Sequence, residues 1–257
     1  MVRFADDAAA SAAAADMATA ALSEATSGAT RTLVTIPGHP EAVASSYPFT
    51  DPAVGKEQST VRSFTPRGPY VLMQVSQSYE GLDAAVGRVA KALDLQKPLI
   101  DQFQPTPPAE FAALPLDPSG LLARTILVPD ADATVNQNWV YGPRGALHFQ
   151  IDPAQTAPLF TQTGTDLVAS AKTAVYQAAD PAAATNFAAA LANQLLGQQA
   201  RPADPVAGLP DSSCLQSPAL GFLCTATADR YAIEAQSAQL RDAHQLAAAQ
   251  YVLLTEQ

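Results

Sequence analysis

Cysteine is almost missing from this chain: Cys214 and Cys224 are the only two, so thiolate chemistry has at most one pair to work with. Histidine is nearly as scarce. His39, His148 and His244 are scattered, no H-E-x-x-H spacing occurs, and a metal held by the two cysteines would lack further ligands. Basic residues are few, with 14 Lys and Arg against 24 Asp and Glu and a formal charge of −10. A phosphate backbone would be repelled by such a surface, and no polybasic stretch could hold an anionic membrane, so nucleic acid is not an expected partner. There is no long hydrophobic run either. The most apolar stretch, Ala8 to Leu22, is alanine broken by Ser11, Asp16 and Thr19, too short and too weakly hydrophobic to span a bilayer. Finally, the chain has no G-x-S-x-G elbow, no G-x-x-x-x-G-K phosphate loop and no G-x-G-x-x-G turn. The usual anchors of a hydrolase, nucleotide or dinucleotide site are therefore absent.

What is present is enough for a self-sufficient fold. A chain of 257 residues can bury roughly three quarters of its unfolded surface, so folding calls for no cofactor. Asp6 and Asp7 precede an alanine-rich helix to Ala25, and Thr32 to Ile36 reads as a strand ended by Pro37-Gly38. A polar loop is expected to Gln58. Val61 to Phe64 and Tyr70 to Ser76 form a hairpin around Pro66-Arg67-Gly68, and Leu82, Val86, Val89 and Leu93 mark one face of a helix.

The last third repeats that order. Val175 to Gln177 is strand-like, and Asp180-Pro181 opens a helix with Phe187, Leu191 and Leu195 on one face. After a proline-rich loop to Pro210, Leu220 to Thr225 and Tyr231 to Ala235 form strands around Ala228-Asp229. Leu240, His244, Ala247, Tyr251 and Leu254 stripe a closing helix. The residues echo as well: Gly38-His39-Pro40-Glu41 against Gly208-Leu209-Pro210-Asp211, and Gly68-Pro69-Tyr70-Val71-Leu72 against Asp229-Arg230-Tyr231-Ala232-Ile233. The expected fold class is α+β: two divergent copies of one unit, each a mainly antiparallel sheet with helices packed on one face. The copies are placed at 1–104 and 139–257, the second being larger, with a proline-rich connection at 105–138. Within the second, Gly145 to Ile151 alternates like a strand, Asp152-Pro153 caps a helix to Thr163, and Asp166 to Ser170 reads as a further strand.

Chemistry-bearing residues are few. Cys214 and Cys224 flank a segment containing Pro218 and Gly221 that suits a turn, which favours a hairpin disulfide; two reduced core thiols or an incomplete metal pair are the alternatives. Carboxylate pairs such as Asp6-Asp7, Asp130 with Asp132 and Asp204 with Asp211 sit where capping and solvation account for them. The densest cluster is Trp139, Tyr141, Arg144 and His148, which joins the only tryptophan to a tyrosine, a cation and an imidazole. Such groups suit an amphipathic ligand or a protein contact, so these four are the ligand-binding candidates; no catalytic residue and no metal ligand is assigned.

Several stretches resemble a family of mycobacterial and related actinobacterial lipoproteins built on a domain of unknown function. They are Gly68-Pro69-Tyr70-Val71 with the later Leu93-Asp94-Leu95-Gln96, the run Leu114 to Gly120, Tyr141 to Phe149, Asp229-Arg230-Tyr231, and Ala249-Gln250-Tyr251. The resemblance implies export to the cell envelope and lipid anchoring through an N-terminal cysteine outside this chain. Met1 is followed at once by an apparently folded segment, so upstream parts of the natural protein are expected to be missing. The expected role is a non-enzymatic binding module for a lipid, glycolipid or small hydrophobic ligand, with an interaction module for another envelope protein as the alternative. A hydrolase with an unfamiliar site stands third.

Overall fold

The computed structural model describes residues 1–24, 28–52, 54–115, 117–209 and 211–256. Ala25 at the expected end of the first helix, Leu116 in the proline-rich run and Pro210 in the second echo lie outside the described residues. The chain divides into two units, Met1–Ala109 and Glu110–Gln257. The division falls inside the stretch read as a connection.

The first unit runs β1 (Val2–Arg3), α1 (Asp7–Ser23), β2 (Thr32–Val34), β3 (Val43–Asp51), β4 (Lys56–Arg67), β5 (Tyr70–Ser78) and α2 (Leu82–Asp101). Its five strands lie in the order β1-β5-β4-β3-β2, every neighbour antiparallel. The Asp6 carboxylate accepts the Ala9 amide at 2.8 Å and starts α1, satisfying one donor that the helix itself cannot. Ala10, Ala14, Ala18 and Ala21 form the buried stripe of α1, and their small side chains let the helix settle closely on Phe64 and Val71. On α2 the stripe is Ala85, Val89 and Leu93, which meet Val61 and Leu72.

These contacts correct the expected layering. Phe64 and Val61 are an odd number of positions apart on β4, and Val71 and Leu72 are adjacent on β5, so each pair points to opposite sides of the sheet. The helices therefore cover the two faces rather than share one. The physical reason is visible in Tyr70, Val71 and Leu72, all buried in succession: a strand apolar on both sides needs cover on both.

A second correction concerns 43–51, expected as loop and found as β3. Pro48 argued against a strand there. However, β2 reaches only Ala44 to Ser46, so Pro48 lies where one edge of β3 is free and its missing N–H breaks no ladder.

The second unit runs β6 (Trp139–Tyr141), α3 (Pro143–Ala146), α4 (Pro153–Thr163), β7 (Leu167–Ser170), β8 (Thr173–Gln177), α5 (Pro181–Gly197), β9 (Arg201–Ala203), β10 (Ser213–Ser217), β11 (Gly221–Ala228), β12 (Tyr231–Ser237) and α6 (Leu240–Thr255). Its seven strands follow the order β6-β7-β8-β12-β11-β10-β9, again antiparallel throughout. Asp180 caps α5 through the Ala183 amide at 2.8 Å, and Asp152 caps α4 through the Gln155 amide at 3.0 Å. Phe187 on α5 is in contact with Tyr176 and Phe160, with ring centroids 4.4 and 5.8 Å away. On the other side of the sheet α6 packs Leu254 with Val175 and Ile233, and Ala243 and Ala247 with the two cysteines.

Gln250, on the inner face of α6, is fully buried. It accepts from the Ile126 amide at 3.0 Å and the Thr173 hydroxyl at 2.6 Å, and donates to the Arg124 carbonyl at 2.7 Å. This one amide ties residues 124–126 to the sheet and to the closing helix. It sits deeper than Tyr251, which packs partly buried against the cluster of Leu254, Val175 and Ile233 as the expected stripe had it.

The two units share one plan. From β8 onward the second unit reads β-α-β-β-β-β-α with neighbours β8-β12-β11-β10-β9, as the first reads from β1 with neighbours β1-β5-β4-β3-β2. The expected correspondence of the strands starting at Tyr70 and Tyr231 holds. Each follows a two-residue turn whose first residue has positive φ, 53° at Gly68 and 50° at Asp229. The second unit differs by what precedes β8: β6, α3, α4 and β7 extend the sheet on its β8 side.

That extension brings a third correction. Of residues 145–151, expected as a strand, 145–149 are helical and none is in a strand: α3 is followed by a 3₁₀ turn over Leu147–Phe149. Pro143 at the first helical position presets the backbone for a helix. The alternation of Leu147, Phe149 and Ile151 buried nothing in alternation, since Phe149 and Ile151 are both exposed.

Candidate functional site

The added segment and the repeated sheet enclose a cavity of about 650 Å³ in the second unit. Its floor is the α5 side of β8 and β12. Glu234 stands directly across from Ala174, and Tyr176 across from Ala232, so the Glu234 and Tyr176 side chains are diagonal neighbours on one face. The Tyr176 hydroxyl donates to Glu234 Oε2 at 2.7 Å and lies 3.4 Å from Gln150 Oε1. Glu234 Oε1 makes no hydrogen bond among the described residues.

Crowding by protein atoms raises the Glu234 carboxyl above its ordinary value of 4.5, and the Tyr176 hydrogen bond offsets this only in part. Burial and the neighbouring carboxylate push the Tyr176 phenol well above 10.0. Glu234 nevertheless keeps part of its surface open to the cavity.

The walls come from the extension. Tyr141, on β6, lies 5.0 Å from Phe149 between ring centroids, tilted by 49°, and donates from its hydroxyl to the Asn136 carbonyl at 3.1 Å. Burial raises its phenol too. Lys172, in the turn between β7 and β8, lines the cavity, and its ammonium forms no ion pair among the described residues. The opposite rim is the β10–β11 turn, where Gln236 donates to the Leu220 carbonyl at 2.9 Å. Gly221 closes that turn at φ 76°, and a Cβ there would lie 2.7 Å from the Ser237 carbonyl oxygen. No other residue type fits without moving the rim.

Of the four residues singled out from sequence, the structure brings Tyr141 alone to this cavity. Trp139 shares its strand and is half-exposed, but does not line the cavity. Arg144 is exposed beside a separate cleft against α4, and His148 is exposed with its ring 6.5 Å from Phe149. Glu234, Tyr176 and Gln150 escaped the sequence reading. One signal was available: a carboxylate in the middle of an otherwise small and apolar strand, Tyr231 to Ala235, is a residue type that strands seldom bury.

Cys214 and Cys224 form a disulfide between directly opposed positions of β10 and β11. It faces α6, away from the cavity side. His244 Nε2 lies 2.8 Å from the Asp204 carbonyl, which can only accept, so that nitrogen carries the proton. The His244 ring and both sulfurs lie within 4.8 Å of one another, but the sulfurs are bonded together and offer no thiolate.

In the first unit His39 is buried and makes a different network. Its Nε2 lies 3.1 Å from Asp94 Oδ1 and its Nδ1 3.3 Å from Lys97 Nζ, which also pairs with Glu41 Oε1 at 2.6 Å. Lys97 accordingly holds the Glu41 carboxyl below its ordinary value. The cluster fastens the loop after β2 onto α2. Among the described residues, no helix is long and apolar enough to cross a membrane.

Fold and site together define an α+β protein of two divergent units with an open, polar-lined cavity in the second. The chain belongs to the DUF7373 family: its N-terminal domain of unknown function matches residues 1–116 and its C-terminal domain matches residues 121–257. Neither the curated proteins nor the solved structures yield a match.

Proposed function

We propose that this chain is the exported part of a cell-envelope lipoprotein and acts as a non-enzymatic binding module, holding a lipid, glycolipid or other small ligand in the cavity of its second unit. The observation that carries this reading is the cavity itself: about 650 Å³, within the roughly 300–1,000 Å³ of small-ligand sites, with aromatic walls and a few convergent polar groups. A disulfide and the absence of a membrane-crossing helix among the described residues are compatible with export. Lipid anchoring belongs to the proposal. Glu234 faces no second carboxylate among the cavity's described residues, which favours binding over paired acid/base chemistry.

A second reading, docking to another envelope protein, is favoured by Met73 and Val75, exposed on the same face of β5. The two are separated by purifying the full-length protein gently from its native envelope and analysing an organic and an aqueous extract by mass spectrometry against a matched control. An enriched small molecule supports the binding module. Clean extracts together with a reproducible protein partner in crosslinking would overturn it.

A further inference from the structure

Resting on the reading of the cavity as a ligand site, we propose that it is a carbohydrate site. A pyranose or furanose ring lies against Tyr141 and Phe149 with its hydroxyls bonded to Glu234 and Gln150, so that in a glycolipid the sugar head enters and the acyl chains stay outside.

The argument starts from what the floor offers. Tyr176 occupies one oxygen of Glu234 and leaves Oε1 without a partner among the described residues, in a carboxyl group still open to the cavity. Among the described residues the Gln150 side chain makes only long hydrogen bonds, 3.4 Å to the Ala146 carbonyl and 3.4 Å from the Tyr176 hydroxyl, so its amide can re-bond to a ligand. Lys172, whose ammonium forms no ion pair among the described residues, adds a further donor to the lining. A sugar hydroxyl both donates and accepts, which suits a carboxyl, an amide and an ammonium set around one space. An acyl chain suits none of them: it would strip water from these groups and return no hydrogen bond.

The wall supplies the other half of sugar recognition. A sugar ring has an apolar face of C–H groups, and an aromatic surface is its natural complement, hydrophobic yet polarised toward C–H. Tyr141 is fixed by its hydrogen bond to Asn136, and the half-exposed Phe149 beside it extends the surface toward the opening. The position in the fold fits as well. Met73 and Val75 hold in the first unit the places of Glu234 and Gln236 in the second, with Phe64 and Arg62 across from them, and that sheet carries no carboxylate at these two places and no counterpart of β6 and β7. The polar floor and the aromatic wall therefore occur together, in the copy that has the extension.

The test uses the whole chain with its disulfide intact. Saturation-transfer NMR and calorimetry are run with a panel of methyl hexosides and methyl pentosides, and a fluorescent long-chain fatty acid is titrated in parallel. Binding of at least one glycoside is expected, with stronger saturation on one ring face. Phe149→Ala and Glu234→Gln, the first exposed and the second nearly isosteric, should each weaken it roughly tenfold or more. Their folding is verified by circular dichroism. If the fatty acid binds, the same variants weaken it and no glycoside binds, the carbohydrate assignment falls while the binding module stands. If neither probe binds at millimolar concentration, both fall. If a glycoside binds but neither variant weakens it, the sugar occupies another place and the assignment to this cavity is overturned.

Discussion

At the scale of single residues, Glu234 is the group whose environment departs most from what its strand would suggest. Its carboxyl is raised from 4.5 mainly by burial. A carboxyl raised in the folded state is bound to its proton more tightly there than in the unfolded chain. It therefore makes stability fall as pH climbs from the ordinary carboxyl value through the raised one. Glu234→Gln removes that decline. The expected result is a pair of urea denaturation series that agree below about pH 4 and separate as pH rises toward neutrality, the variant becoming the more stable. A constant difference at all pH values would contradict the raised carboxyl. The sequence could not display this, because the cavity that Glu234 lines is completed by Phe149 and Gln150, which arrive from a segment whose backbone course was read as a strand. Gln250 escaped for a related reason: a polar residue beside a plausible apolar stripe was left out of it, whereas three well-placed partners make it an inner residue.

At the scale of elements, legibility followed the strength of local signals. Asp6, Asp152 and Asp180 announced three helix starts, and all three carboxylates are found capping. The two hairpins were visible as well, with their turns expected at Pro66-Arg67-Gly68 and Ala228-Asp229 and found a little later, at Gly68-Pro69 and Asp229-Arg230, because the strands run on to Arg67 and Ala228. What stayed hidden depended on partners far along the chain: β3 pairs with β4 beyond a proline, and residues 145–149 coil although they alternate. The face chosen by each helix also follows from tertiary packing, because alternation within a doubly covered strand carries no sidedness. The disulfide is the element-scale device open to measurement. Cys214 and Cys224 close a short loop between β10 and β11 at a sequence separation of 10, worth about 2.7 kcal/mol in the chain-entropy treatment. The double variant Cys214→Ser, Cys224→Ser should lose about that much in urea denaturation. It should also bind a cavity ligand more weakly, since Ala219, Leu220 and Gly221 of the same hairpin form the rim. Unchanged stability would mean that the hairpin needs no bridge.

At the scale of the whole molecule, the repeated plan implies that each unit carries a sufficient core. Ala85, Val89 and Leu93 belong with Val61 and Leu72 in one unit, and Phe187 with Phe160 and Tyr176 in the other. Expressed apart, 1–109 and 110–257 should each give a cooperative unfolding transition, followed by circular dichroism; a non-cooperative melt of either piece would show that it depends on the rest of the chain. A repeat in which one copy has gained a polar floor and a wall has a consequence for how the gene can change. Position for position, Met73 corresponds to Glu234 and Val75 to Gln236. On the proposed reading, a swap of one apolar residue for another in the first copy alters nothing in the cavity, whereas replacing Glu234 by an apolar residue in the second removes its carboxylate. If the proposed site is real, the two halves carry different duties and could not exchange sequence by recombination without losing it, so a chimera with 70–78 in place of 231–239 should keep the strand and lose the cavity's polar floor.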